Sequence, residues 1–355
     1  MIPPGLTSLE LARESYRGIT LYAPDRAPCA VDLSDNTNLW GIPPGAERAI
    51  REAAVSAVTR YPSLYAGGLK ESLARYLGVA PAMVVTGCGS DDVLDSAIRA
   101  FGEPGDRIAH PEPSFAMIPI FARMNGLEPL GVPLFDPEAT LATGARIIYL
   151  CSPNNPTGNA MSRSAIEYVV ERATGVVILD EAYAEFAGVS GVDLLERSER
   201  LLVTRTMSKA FGLAGLRIGY AAGSAALVAE VEKSRGPYKV SALAERAAMA
   251  ALAEGADGLG WVRAHVAEAV AIRERFAGEL AALGLAALPS DANFLLVPVP
   301  DAAGIARHLR EGGVAVRPFV ALPGVGDALR ISVGPWAMME RCLAALADAL
   351  RTTPA

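Results

Sequence analysis

Apolar residues recur at helical spacing over positions 46–59 and 69–77, which predicts two amphipathic helices there. The pattern then changes to short, nearly continuous apolar runs at 83–86, 107–110, 130–133, 147–151, 176–179, 201–204 and 217–222. Runs this short, without a polar face, read as strands buried on both sides. Helical stretches at 91–101, 114–125 and 162–173 lie between several of them, with Ser162 at the N-cap position of the last. Such alternation predicts an α/β layer built on a mainly parallel sheet.

Beyond Gly236-Pro237 the texture shifts. An alanine-rich stretch at 242–283 predicts one or two long helices, with a break at 255–260. A strand at 293–299, a helix at 302–311, strands near 314–317 and 329–333 and a last helix at 337–350 predict a smaller α+β lobe. The division that follows is an arm at 1–40, a large domain at 41–240 and a small C-terminal domain at 241–355.

Composition narrows the functions open to the chain. Its 355 residues, 51% of them apolar, exceed one ~150-residue domain and agree with two lobes. A net charge of −7, without a basic block, argues against nucleic acid as a partner. No apolar run approaches the ~18 residues that cross a bilayer. Glu10, Arg13, Glu14 and Arg17 interrupt the stretch a signal peptide would need, so a cytoplasmic location is expected. Four scattered cysteines without a C-x-x-C pair read as small apolar side chains, not as a disulfide framework. His110, His265 and His308 are the only histidines, little material for zinc or for a Ser-His-Asp triad, and no metal is expected. Lysine is scarce too: an amine nucleophile must be Lys70, Lys209, Lys233 or Lys239.

Four motifs carry the candidate chemistry. Thr86-Gly87-Cys88-Gly89-Ser90-Asp91-Asp92 joins a strand to a helix, where free N–H groups suit a phosphate. It lacks the third glycine of a dinucleotide fingerprint, and serves equally well as a plain connection. Cys151-Ser152-Pro153-Asn154-Asn155-Pro156-Thr157-Gly158 presents amides at a strand's carboxyl end, where ligands dock in open α/β sheets. Asp180, in Val176-Val177-Ile178-Leu179-Asp180-Glu181-Ala182-Tyr183, follows four apolar residues and either caps a helix or faces a cation. Lys209 lies in Thr206-Met207-Ser208-Lys209-Ala210-Phe211-Gly212-Leu213-Ala214-Gly215-Leu216-Arg217, an apolar and Gly-rich neighbourhood that would lower its pKa and make it a nucleophile toward an aldehyde. A phosphate cradle, a carboxylate for an aromatic cation, amides for an oxygen and an amine for an aldehyde together describe pyridoxal 5'-phosphate.

In this order the motifs resemble those of the fold-type-I pyridoxal-phosphate-dependent aminotransferases, most of all the histidinol-phosphate aminotransferases. The likeness runs from about residue 22 to residue 334. It implies a large domain with a mainly parallel, mixed seven-stranded sheet and a smaller α+β C-terminal domain. It implies that Lys209 binds the cofactor covalently and then moves the substrate proton, that Asp180 pairs with the ring nitrogen, and that Asn155 and Tyr183 reach the phenolic oxygen. Ser90, Asp91, Ser208 and Arg217, with help from Thr206, would hold the phosphate, and Phe115 would stack on the ring. Tyr61 would reach the cofactor of a neighbouring subunit, which implies a homodimer with shared active sites. Arg330, Arg317 and Tyr22 would meet the substrate.

Relatives commonly carry N-E-N-P where this chain reads Asn36-Thr37-Asn38-Leu39, a departure at the substrate end. The expected activity is transamination between histidinol phosphate and 2-oxoglutarate in histidine biosynthesis. The alternatives are an aminotransferase for aromatic or other amino acids, and a decarboxylase of the threonine-phosphate type.

Overall fold

A computed structural model describes residues 11–20 and 27–352. The short runs of the sequence pair into one seven-stranded sheet. With β1 at Val31–Asp32, its strands are β2 (Val84–Cys88), β3 (Arg107–Glu112), β4 (Glu128–Pro133), β5 (Ile147–Cys151), β6 (Val176–Asp180), β7 (Leu201–Thr206) and β8 (Ile218–Gly223). Their order is β2-β8-β7-β6-β5-β3-β4, and β8 alone runs against the rest. The carboxyl ends of β2, β3, β5, β6 and β7 therefore emerge on one edge. That edge is where the motifs were read, and in open sheets of this kind it is where ligands bind.

β5 and β7 are buried along their whole length, which explains their unbroken apolar sequence. Leu94, Ile98, Ile118 and Phe121 cover one face of the sheet, and Ile166, Val169, Leu194 and Leu195 the other. Ser162 accepts from the N–H of Ala165 and caps the helix Arg163–Arg172, as its position predicted.

The second lobe holds β9 (Phe294–Pro298), β10 (Val314–Ala315), β11 (Arg317–Leu322) and β12 (Gly326–Ser332). β11, β12 and β9 form an antiparallel sheet, while β10 pairs in parallel with β1. Val31 and Leu33 thus share a core with Phe276, Leu295, Ile331 and Leu346. The helix Ala242–Ala251 packs elsewhere, with Leu69, Phe211 and Tyr220 beside the large sheet.

Three expectations need correction. The helix predicted at 46–59 is two, Pro44–Arg51 and Ser56–Thr59; Val55 and Val58 are 78% and 70% exposed, so the apolar residues that suggested continuity face away from any core. The strand predicted near 314–317 is divided between β10 and β11, which pair with different partners. The helix Ala225–Arg235 was not anticipated; Ser224 caps it, but its apolar residues do not gather into a clear stripe.

Candidate active site

At the carboxyl edge of the large sheet, facing the second lobe, lies a cavity of about 650 Å³. Ser90, Asp91, Phe115, Asn155, Asp180, Tyr183, Thr206, Ser208, Lys209, Arg217, Arg317 and Arg330 all line it. Sequence reasoning named each of these twelve, and residues far apart in the chain converge on one space. Tyr61 stands apart: it is 84% exposed and stacks on Tyr238 at 4.9 Å. Tyr22 lies outside the described residues.

One end of the cavity is built from backbone. Gly89, at a φ of 83°, is the N-cap of the helix Ser90–Phe101, whose first residues, Ser90 and Asp91, line the cavity with N–H groups that the helix itself leaves unpaired. β8 passes so close behind that a Cβ on Gly219 would sit 2.1 Å from the carbonyl carbon of Gly89 and 2.1 Å from the nitrogen of Ser90. Only glycine allows that approach. Arg217, immediately before β8, lies in the left-handed region at a φ of 53°, and its Nη2 lies 3.4 Å from Asp91 Oδ2. Burial raises the pKa of Asp91 and the positive charges of Arg217 and Lys209 oppose it. Thr206 Oγ1 donates to Ser208 Oγ at 2.9 Å, which fixes that hydroxyl beside the same helix end.

The centre of the cavity holds an acid and an amine with shifted titrations. Asp180 ends β6, is 4% exposed, and burial pushes its pKa up to about 6. Tyr149 Oη donates to its Oδ2 at 2.8 Å and the N–H of Ala182 to its Oδ1 at 3.1 Å, and both bonds favour the carboxylate. Lys209 Nζ donates to the carbonyl of Asp35 at 3.2 Å and lies 5.7 Å from the centre of the Tyr183 ring. Burial, helped by the charge of Arg330, lowers the Lys209 pKa to about 7.

The far side is polar and tightly held. Arg330 leaves β12 and donates to Asn155 Oδ1 at 2.5 Å and to the Ser34 carbonyl at 2.8 Å. Tyr183 is buried, its hydroxyl accepts from Asn36 Nδ2 at 3.0 Å, and burial pushes its pKa up to about 12. The loop that bears it is anchored by Glu181, whose Oε2 accepts from Arg205 Nη2 at 2.7 Å and whose Oε1 accepts from the N–H of Gly191.

Sequence reasoning missed Tyr149, Asn36 and Asp35. Asn36 sits at a φ of 56°, a conformation asparagine tolerates better than most residues, and its amide N–H donates to Ser332 Oγ at 2.8 Å. Asn293 Nδ2 donates to its carbonyl at 3.0 Å. Asn38 Nδ2 donates to the Ala210 carbonyl at 2.9 Å, so residues 34–41 are bonded to both lobes. The only signal was the unusual Asn36-Thr37-Asn38 run.

The sheet with one reversed strand, the second lobe closing over its carboxyl edge, and a lysine and an aspartate in one cavity define fold type I of the pyridoxal-phosphate-dependent transferases. Residues 29–346 match the family model for aminotransferase class I and II, and the chain belongs to that family: it is a transaminase. It is similar to the histidinol-phosphate aminotransferase of Thermoanaerobacter pseudethanolicus, 35% identical over 91% of this chain and 94% of that one. The histidinol-phosphate aminotransferase of Chromobacterium violaceum is 37% identical over 93% and 95%. Among solved structures, the histidinol-phosphate aminotransferase of Sinorhizobium meliloti in complex with pyridoxal-5'-phosphate superposes with a TM-score of 0.84, at 27% identity over 99% of both chains.

Proposed function

We propose that this transaminase uses pyridoxal 5'-phosphate to move the amino group of histidinol phosphate to 2-oxoglutarate, a step in histidine biosynthesis. The observation that carries the cofactor reading is the meeting of Lys209 and Asp180, each with a shifted pKa, in one cavity. The choice of substrate rests on the relatives' names and on two guanidinium groups, Arg317 and Arg330, in the same space.

The residues present fit the group. Helix-end N–H groups at Ser90 and Asp91, the Ser208 hydroxyl and Arg217 form a donor set for a phosphate, with Thr206 steadying Ser208. Phe115 supplies an aromatic face. When bound, pyridoxal phosphate supplies an aldehyde that captures the amine and a ring that withdraws electrons from the adjacent carbon. Asp180, ionised above about pH 6, holds a proton on the ring nitrogen. Lys209 Nζ, with a pKa near 7, is uncharged in a useful fraction of molecules, and accepts a proton from the substrate carbon and returns it. Tyr183 stays protonated at neutral pH and accepts from Asn36 Nδ2, so its O–H remains a donor that would hold the cofactor's phenolic oxygen. Asn155, whose Oδ1 faces Arg330, offers its Nδ2 to the same atom.

For the assembly we propose a homodimer. Val55, Val58, Tyr61, Leu64 and Tyr238 leave apolar side chains exposed on one stretch, the composition of an interface, and Tyr61 would reach a neighbour's cofactor from it. Tyr22, in the arm, is proposed to meet the substrate. We further propose a large cofactor lobe and a smaller C-terminal lobe; the packing of Ala244, Ala247 and Val262 on the large lobe supports a changeover within the helix Leu259–Ala282 rather than at residue 241. No helix among the described residues is long and apolar enough to cross a membrane, and a cytoplasmic location is proposed.

The test is a panel of amine donors followed by cofactor absorbance in single half-reactions, containing histidinol phosphate, phenylalanine and aspartate. Conversion to the pyridoxamine form by histidinol phosphate supports the reading. Conversion by phenylalanine alone replaces the substrate and keeps the chemistry, and carbon dioxide release without conversion identifies a decarboxylase.

A further inference from the structure

The cavity contains an anion of its own at its substrate end. Arg317 Nη2 lies 3.0 Å from Asp35 Oδ1, and the two side chains are only 20% and 19% exposed. Asp35 is delivered there by anchored backbone. Its carbonyl accepts from Lys209 Nζ, and the next residue, Asn36, is bonded to Ser332 and Asn293. Arg330 is the register partner of Arg317 across β11 and β12, so the two guanidinium groups stand side by side. They are held differently. Arg330 gives two of its bonds to neutral oxygens, those of Asn155 and Ser34, whereas Arg317 donates to a carboxylate.

A substrate with one anionic group can bind at Arg330 and leave the Asp35–Arg317 pair intact. A diacid cannot: its far carboxylate must displace Asp35 from Arg317 or lie against a like charge in a partly desolvated space. We propose that Asp35 is a specificity-determining residue, an internal occupant of Arg317 that favours substrates with a single anionic group and weakens the binding of diacids. The proposal rests on the transaminase reading above and deepens it. In the two half-reactions the diacid acceptor, and not the phosphate-bearing donor, meets this competition.

The test compares succinate with propionate by calorimetric titration of the cofactor-loaded enzyme. Asp35→Asn should tighten succinate on the order of tenfold, the scale of one charge-assisted hydrogen bond, and leave propionate within about twofold. Asp35→Glu, which keeps the charge, should keep succinate weak, and Asp35→Ser reads the same ratio as Asp35→Asn should the amide disturb the segment. In an Arg317→Gln background, Asp35→Asn should give a smaller gain for succinate, because no guanidinium is left there to be freed and only the like-charge repulsion is relieved. In steady state, Asp35→Asn should lower the KM for 2-oxoglutarate more than that for the donor. A succinate-to-propionate ratio that does not change, or a gain undiminished without Arg317, overturns the proposal. The ratio is a binding measurement, so a histidinol phosphate half-reaction that fails counts against the proposed function and leaves the ratio to be read on its own.

Discussion

Tyr149 Oη donates a 2.8 Å hydrogen bond to Asp180 Oδ2 from the neighbouring strand of the sheet, and Tyr149 has no exposed surface. The acid at the centre of the cavity is therefore held by a phenol that no solvent reaches. Burial raises the Asp180 pKa to about 6, and the Tyr149 bond is the largest of the effects that oppose the rise. Tyr149→Phe should raise that pKa further, so the acid limb of the kcat/KM–pH profile, which needs ionised Asp180, moves to higher pH. Affinity for pyridoxal phosphate should fall about tenfold, as expected for losing a hydrogen bond to a charged group. A profile identical to wild type would remove Tyr149 from the mechanism.

Lys209 should show its burial in the apoenzyme's stability. Its folded pKa of about 7 lies below the ordinary 10.5, so between these values the unfolded chain binds more protons than the folded one. Stability therefore rises with pH across that window as far as this group is concerned, and the gain is complete above about 10.5. Urea unfolding of apo Lys209→Ala at several pH values should lack this component. The same variant should bind the cofactor without covalent attachment, read as no added mass after borohydride reduction, and lose at least about a thousandfold in turnover.

Gly219→Ala should separate β8 from the phosphate end of the cavity. The added methyl would meet two backbone atoms at 2.1 Å, and neither can rotate away. A loss of about 1–3 kcal/mol in unfolding free energy is expected, together with weaker binding of inorganic phosphate to the apoenzyme. Wild-type phosphate affinity would show that the helix end is not part of the cradle.

Arg205→Ala should be among the most damaging substitutions outside the cavity lining. Arg205 and Glu181 have side chains 10% and 1% exposed, and Glu185, 3.7 Å from Arg205, is 6% exposed, so the change strands two buried carboxylates beside the loop that carries Tyr183. A destabilisation of about 3–5 kcal/mol is expected in urea titrations. Arg205→Ala together with Glu181→Gln should recover part of it, because one of the two unpaired charges is gone while that of Glu185 stays.

The central strands of the large sheet were legible as short apolar runs, because a strand covered on both faces leaves no polar position to confuse its sequence; β4, at the edge, is largely exposed or half-buried and was read from its apolar residues alone. The same property hid Tyr149: inside a fully buried strand one hydroxyl does not disturb the pattern, although it bonds to Asp180. Lys209 and Asp180 were legible for the opposite reason, as charged side chains in apolar surroundings that need a purpose. Asn36 and Asp35 were not, since both act through tertiary contacts to residues nearly three hundred positions away, which no local spacing encodes. The resemblance to known transaminases supplied the roles that geometry here brings together, and it left the Asn36-Thr37-Asn38 departure without meaning until the fold showed what it touches.

That short stretch, bonded to Ser332 and Asn293 on one lobe and to Ala210 on the other, separates two kinds of evolutionary change. The strand ends that carry the acid and the amine belong to the buried strands β6 and β7 of the large sheet. A lineage could alter its diet of acceptors by rewriting the side chain at position 35, while the backbone carbonyl beneath Lys209 and the amide of Asn36 beside Tyr183 stayed as they are.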